Sequence, residues 1–311
     1  MDMTWDCIVV GGGAAGLSAA LVLGRARRRV LVVDAGDQSN RPAHGIGGFI
    51  GQDGRPPADF YADGQRDLAA YPSVEVRDGE VVDGRRADGG GVVLDMADGR
   101  AETARRVLLA TGMDYRAPDV PGVAGRWGGS VFHCPFCHGW EVREQPLGVL
   151  DRGPGGLHRA LLLRMWSDDV TLFTNGDADL DADGVARLAA AGVEVEERPV
   201  ARLEGPDRAL TAVVFADGGS RPCHGMLVPV TMHQRSDLAE RLGAVAAPAT
   251  PLAHDAVVVD GMLRTSADGV AAAGDISGAM PSVANAVFAG SMAAAALVQG
   301  LAAEDHGLPM G

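Results

Sequence analysis

Apolar residues in this chain fall into short blocks, and the spacing of the blocks predicts alternating strands and helices. Cys7–Val10 is an apolar run that leads directly into Gly11-Gly12-Gly13-Ala14-Ala15-Gly16. A helix-like run from Leu17 to Leu23 follows, then a second apolar block, Val30–Val33, closed by Asp34. Further on, Asp59–Ala70 reads as an amphipathic helix, and Val74–Val82 and Gly91–Met96 as strands of a small meander. Val107–Leu109 runs into the small-residue turn Ala110-Thr111-Gly112, and Val270–Ala273 into Gly274-Asp275. Pro281–Leu297 is a long Ala-rich helix.

Between these parts the pattern starts again. Leu147–Leu150, a helix from Leu157 to Trp166 and Val170–Phe173 form a second strand–helix–strand unit. The chain ends in the style in which it began. It is therefore expected to be an α/β protein with two Rossmann-like nucleotide-binding domains: a discontinuous one, 1–116 with 244–311, and an insert at 117–243. Pro118, Pro121 and Gly122 mark the first crossing, and Leu242-Gly243-Ala244 the second. A length of 311 residues suits two domains.

The first glycine loop is G-x-G-x-x-G in full context. A strand precedes it, a helix follows, and Asp34 ends the next strand. Gly11, Gly13 and Gly16 let backbone approach a pyrophosphate, and Asp34 can accept a hydrogen bond from a ribose hydroxyl. Asp275, also at a strand end, is placed to hold a polyol hydroxyl. The loop Asn40–Phe49 reads equally as a cover for a cofactor ring and as a surface connection. Cys7, inside a strand, reads as a small buried hydrophobe.

The second unit departs from this pattern. Asp151 stands where the first glycine belongs, Pro154 removes a loop N–H, and no arginine follows Thr174-Asn175-Gly176 to receive a 2′-phosphate. A carboxylate would face the pyrophosphate, so NADPH is expected to bind poorly.

Composition narrows the chemistry. The chain is 47% apolar and 22% charged, in the range of soluble globular proteins. Its 27 basic against 41 acidic side chains give a net charge of −14, which argues against nucleic acid or an anionic membrane as partner. The basic cluster Arg25–Arg29 reads as a helix C-terminal cap. The acidic N-terminus does not resemble a signal peptide, and no apolar stretch free of glycine and polar breaks is long enough to span a bilayer. A reducing cytoplasm is the expected location, and there a C-x-x-C is more often catalytic than structural.

That motif is Cys134-Pro135-Phe136-Cys137-His138-Gly139. Its two thiols can close a small disulfide ring, and His138 is a candidate proton carrier for the thiol that attacks or leaves. Zinc is the competing reading. It needs a second ligand pair, which the isolated Cys7 and Cys223 do not supply, so no metal is expected. His133 has no assigned role.

Taken together, the glycine fingerprint with Asp34, Ala110-Thr111-Gly112, the C-x-x-C in the insert, and Gly274-Asp275 with its small-residue helix resemble the thioredoxin reductase family of flavoproteins. The resemblance spans essentially the whole chain. It implies a homodimer of three-layer ββα domains, with FAD held by Gly11, Gly13, Gly16, Asp34 and Asp275. Ala14, Ala15, Ala35, Asn40, Arg41, His44, Val82, Ala110, Thr111, Gly112 and Gly274 are then expected around the cofactor. It implies Cys137 against the isoalloxazine and Cys134 exchanging with substrate. His138 replaces the family's usual acid, and the NADPH glycines and arginines are missing. Those departures resemble the dithiol oxidases of gliotoxin and holomycin type, which close disulfides in small metabolites and pass the electrons to O2. Two alternatives stand beside this: a thioredoxin-type reductase fed by NADPH or by another donor such as ferredoxin, and a non-catalytic redox sensor.

Overall fold

The computed structural model describes residues 5–88, 90–278 and 280–308. It divides into two compact units: residues 1–41, 57–115 and 231–311 form the first, and residues 42–56 and 116–230 the second.

In the first unit, parallel strands lie in the order Val74–Asp78, Val30–Asp34, Trp5–Val10, Ala101–Leu109 and Val270–Ala272. The long strand Ala101–Leu109 serves two neighbourhoods. Its first half pairs antiparallel with Val92–Met96, which continues to Val81–Arg86, while its second half lies between Trp5–Val10 and Val270–Ala272. Alternation along the strands builds two cores. Ile8, Val10, Leu31, Val33, Val107 and Leu109 face the meander side, whereas Cys7, Val9, Val30, Val32 and Leu108 face the helices Ala14–Arg25 and Val283–His306. This is a three-layer arrangement with one helical face.

The two helices cross closely because small residues meet there. A Cβ on Gly290 would lie 2.0 Å from the Ala15 carbonyl oxygen. Ser18 donates to the Val287 carbonyl at 2.9 Å and meets the Ser291 hydroxyl at 2.7 Å. The last helix, Val283–His306, is long and apolar enough, by length and composition, to cross a membrane. Here it buries Ala289, Gly290, Ala293, Ala294, Leu297 and Leu301.

The second unit has a five-stranded parallel sheet in the order Val193–Glu196, Val170–Phe173, Leu147–Leu150, Gly225–Leu227 and Val131–Phe132. One face packs on helices through Leu147, Val149, Ala160, Leu163 and Leu188. The other packs beneath the antiparallel strands Val200–Glu204, Ala212–Phe215 and Ser220–Pro222.

Two boundaries differ from the sequence expectation. The chain returns to the first unit at Thr231 and not near Gly243, because Thr231–His233 pairs with Asp114–Arg116. Leu238, Ala239 and Leu242 then enter the first unit's core. A glycine turn at 243 was legible, whereas the short strand that precedes it had no local signal. In addition, Pro42–Pro56, a sequence neighbour of the first unit, packs with the second.

Candidate active site

Four parallel strands of the first unit end in register, with Val10 opposite both Val33 and Leu109, and Leu109 opposite Ala272. The register brings Gly11–Gly16, Asp34, Ala110–Gly112 and Gly274-Asp275 together at one sheet edge. Glycine is required there by space. A Cβ on Gly11, at φ 109°, would lie 2.3 Å from the Ala110 carbonyl oxygen, and one on Gly16 would lie 1.9 Å from that of Gly11. Gly13 caps the helix Ala14–Arg25 without any side-chain hydrogen bond, so the helix N-terminus presents backbone N–H groups and its dipole to the cradle.

Asp34 is buried, and its carboxylate already accepts hydrogen bonds from Gly12 N at 3.2 Å, Gly36 N at 3.0 Å and the Gln38 amide at 3.0 Å. A ribose hydroxyl would share that carboxylate with Gln38, a residue the motif does not flag. Arg41 in turn donates to the Gln38 side-chain oxygen.

Asp275 opens a short 3-10 turn and accepts from the Tyr115 hydroxyl at 2.8 Å. Burial raises its pKa, against the Tyr115 hydrogen bond and the Arg235 cation, which both favour the carboxylate. Arg235 also pins the neighbouring loops, donating to the Asp37 carbonyl at 2.7 Å and to the Met113 carbonyl at 3.4 Å. Tyr115 and Arg235 had no sequence signal, since they reach the site only through the Thr231–His233 pairing.

The remaining expected residues are more scattered. Asn40 accepts from the Tyr61 hydroxyl at 2.6 Å, and burial pushes the Tyr61 pKa up to about 12. Ala35 and Arg41 are exposed, and Val82 points to the exposed face of its strand beside the buried Val81. His44 lies in the loop that packs with the second unit.

In that unit, the edge strand Val131–Phe132 delivers Cys134 to the N-cap of a one-turn helix, Pro135–His138. Cys134 and Cys137 are joined as a disulfide, with Cα atoms 5.3 Å apart. Pro135 occupies a helix start, where its missing N–H costs nothing. His138 stacks on Phe132, with ring centroids 5.5 Å apart and planes 7° from parallel. Both its ring nitrogens are buried and lack a hydrogen-bond partner, which no other described side chain shows. Burial lowers its pKa, opposed by Glu141 and by the polar backbone of Cys134 and Gly128. A neutral imidazole with a free lone pair beside a dithiol is equipped to take a thiol proton.

His133 is held by stacking on Trp127 at 5.6 Å, and burial lowers its pKa to about 4. A histidine kept neutral in the folded state binds fewer protons than in the unfolded chain. Its contribution to stability is therefore complete above pH 6.5 and lost as pH falls toward 4. The loss amounts to about 3 kcal/mol. Melting temperature is expected to drop steeply across that window in the wild type and less steeply in His133→Phe. Equal slopes would contradict the assignment.

The second nucleotide-type loop lies at the same sheet edge, after Leu150. The Asp151 carboxylate accepts from the Arg159 guanidinium at 2.6 Å and from Arg152 N at 2.8 Å. This ion pair lies against Gly155, whose Cβ would be 2.8 Å from Arg159 Nη1. Gly153 N–H is spent on the Ala178 carbonyl at 2.8 Å. A dinucleotide would have to displace a salt bridge and meet a carboxylate. Cys7 and Cys223 are buried, and burial pushes both thiols up to about 12, so neither supplies a thiolate.

Known proteins share this architecture. The pyridine nucleotide-disulphide oxidoreductase family matches residues 5–290. The thioredoxin reductase tcpT of Claviceps purpurea is 31% identical across 93% of this chain and 91% of its own. An oxidoreductase from Agrobacterium tumefaciens superposes with a TM-score of 0.90 at 40% identity, covering 96% of this chain and 99% of that one. HlmI superposes with a TM-score of 0.90 at 38% identity, covering 97% and 94%. With a glycine cradle on one unit and a C-x-x-C disulfide on the other, this chain is an oxidoreductase that belongs to the thioredoxin reductase-like pyridine nucleotide-disulphide oxidoreductases.

Proposed function

We propose that the protein is an FAD-dependent dithiol oxidase that closes a disulfide in a small-molecule dithiol and reduces O2 to H2O2. The observation that carries this reading is the Asp151–Arg159 ion pair across the second nucleotide loop. It sets a carboxylate and a salt bridge where the pyrophosphate of NADPH would lie, which counts against NADPH as the electron donor.

The first cradle fits FAD. Its crowded glycines leave backbone open to a pyrophosphate, and the helix that Gly13 caps without a side chain has N–H donors to offer it; Asp34 would hold a ribose hydroxyl and Asp275 the ribityl hydroxyls. When bound there, FAD supplies the two-electron acceptor through which the dithiol is reoxidised and O2 reduced.

The chain's own chemistry is thiol–disulfide exchange. A substrate thiol gives its proton to His138 and attacks Cys134 Sγ, breaking the Cys134–Cys137 bond and releasing Cys137 as thiolate. The second substrate thiol displaces Cys134 from the mixed disulfide. The products are an oxidised substrate and a reduced pair, and the sum over the cycle is dithiol plus O2 to disulfide plus H2O2. The exposed Phe136 and Trp140, the latter beneath Arg143 at 3.8 Å, offer apolar surface next to the pair. In this reading the enzyme works as a cytoplasmic homodimer.

A second reading is favoured by the names of the curated relatives: a thioredoxin reductase running the opposite way on NADPH or another donor such as ferredoxin. Anaerobic mixing separates the two. A small dithiol is expected to bleach the flavin, with H2O2 appearing when air is admitted, whereas NADPH and NADH leave it oxidised. Rapid bleaching by NADPH would make the protein a reductase.

A further inference from the structure

The loop Pro42–Pro56 follows the first unit's strand Val30–Asp34 in sequence, yet it belongs spatially to the dithiol unit. It is tightly made. Ile46 is buried and donates its N–H to the Arg55 carbonyl at 2.8 Å, and Gly54 N–H returns to the Ile46 carbonyl at 2.8 Å. Gly48 N–H is held by the Asp53 carboxylate at 2.8 Å. A closed loop of this kind acts as a preformed wall and not as a tether.

That wall lies directly on the redox helix. A Cβ on Gly47 would sit 2.6 Å from the Cys137 carbonyl oxygen and 2.9 Å from Cys137 Cα, distances that side chains do not adopt. At the neighbouring Gly48 a Cβ would lie 4.0 Å from the Phe136 carbonyl oxygen, so the close approach is confined to Gly47. Gly47 does not adopt a positive φ, so its backbone would accept alanine, and only the approach to Cys137 demands glycine. A second anchor stands at the loop's start, where a Cβ on Gly128 would meet Pro42 at 3.0 Å. Gly128 also borders His138, and His44, from the same loop, disfavours protonation of that ring.

We infer that the 42–56 loop is a positioning element of the dithiol centre. Gly47 sets the depth of Cys137 beneath it, so that Cys137 is shielded and Cys134 is left as the sulfur that meets incoming thiols. The inference rests on the reading of Cys134–Cys137 as the reacting pair, and it assigns the asymmetry between the two sulfurs to a loop outside the C-x-x-C.

Alkylation of the anaerobically reduced, FAD-loaded protein with iodoacetamide, resolved by peptide mass spectrometry, tests this without turnover. Cys134 is expected to react roughly tenfold faster than Cys137 in the wild type, access and thiolate character both setting the rate. Gly47→Ala is expected to bring the two rates to within about threefold by lifting the loop, with FAD content unchanged. Asp53→Ala, which only removes the acceptor for Gly48 N–H at an exposed position, is expected to move the ratio the same way by a smaller factor, and it guards against a Gly47 variant that does not fold. Equal labelling of the two cysteines in the wild type, or a ratio unmoved in both variants, overturns the inference. The dithiol-oxidase reading stands apart: it fails if dithiols do not bleach the flavin, whatever the labelling ratio.

Discussion

Cys137→Ser is expected to abolish dithiol turnover, with a loss on the order of 10³-fold or more, while the protein stays folded and keeps its FAD. In the proposed reaction the disulfide is the electrophile that a substrate thiolate attacks, and a serine hydroxyl can neither form it nor carry electrons. Cys134→Ser is expected to lose as much, because the two sulfurs act as one group and single losses are as severe as the double one. The folded state should tolerate both changes: Val131–Phe132 is held by Gly225–Leu227, and the one-turn helix by Pro135 and the Gly139 N–H to Pro135 carbonyl bond at 2.7 Å. His138→Ala belongs to the same series but should cost less, about 10²–10⁴-fold, since solvent can take the thiol proton more slowly. Its loss should be smallest at high pH, where substrate thiols ionise unaided. Residual turnover near wild type in either cysteine variant would remove the dithiol from the reaction.

Gly16→Ala is expected to strip the protein of FAD. The added methyl would sit 1.9 Å from the Gly11 carbonyl oxygen and 3.3 Å from Val9 Cγ1, so the helix must move off the strand end and the cradle opens. Overpacking of this sort costs about 1–3 kcal/mol of stability, so the melting temperature should fall as well. Gly13→Ala isolates the cofactor effect. At Gly13 the new methyl would meet only Gln38 Cγ at 3.7 Å, an ordinary contact, and the backbone at φ −77° accepts alanine. That variant is expected to fold normally and still bind FAD more weakly, because its methyl stands at the helix N-terminus where a pyrophosphate would approach backbone. Flavin absorbance per protein after gel filtration reads both. Full FAD retention in Gly16→Ala would mean that the cofactor is held elsewhere.

Different parts of the site had different visibility in the sequence. The glycine cradle was legible because its constraint is local: one strand, one turn and one helix, with Gly11, Gly13 and Gly16 a few residues apart. The spoiled second loop was legible for the same reason, although the sequence could not show that Asp151 is neutralised by Arg159, one helix face away. The sequence reading extended the insert to Gly243, because a glycine turn stands out and a three-residue strand such as Thr231–His233 does not. Tyr115 and Arg235, which border Asp275, were missed with it.

Periodicity and loop chemistry alone thus determined an α/β chain of two strand–helix–strand units, the place of the glycine cradle and the C-x-x-C pair that closes as a disulfide. Apolar blocks, crowded glycines and a C-x-x-C each work within a dozen residues of chain. The tertiary structure decided what lies against these motifs. It set Gly47 on Cys137, ninety residues away in sequence, left both His138 nitrogens buried without partners, and gave Asp275 to Tyr115 across the fold. Such contacts arise from sheet register and from close approach of distant backbone, and neither leaves a pattern in the neighbouring residues.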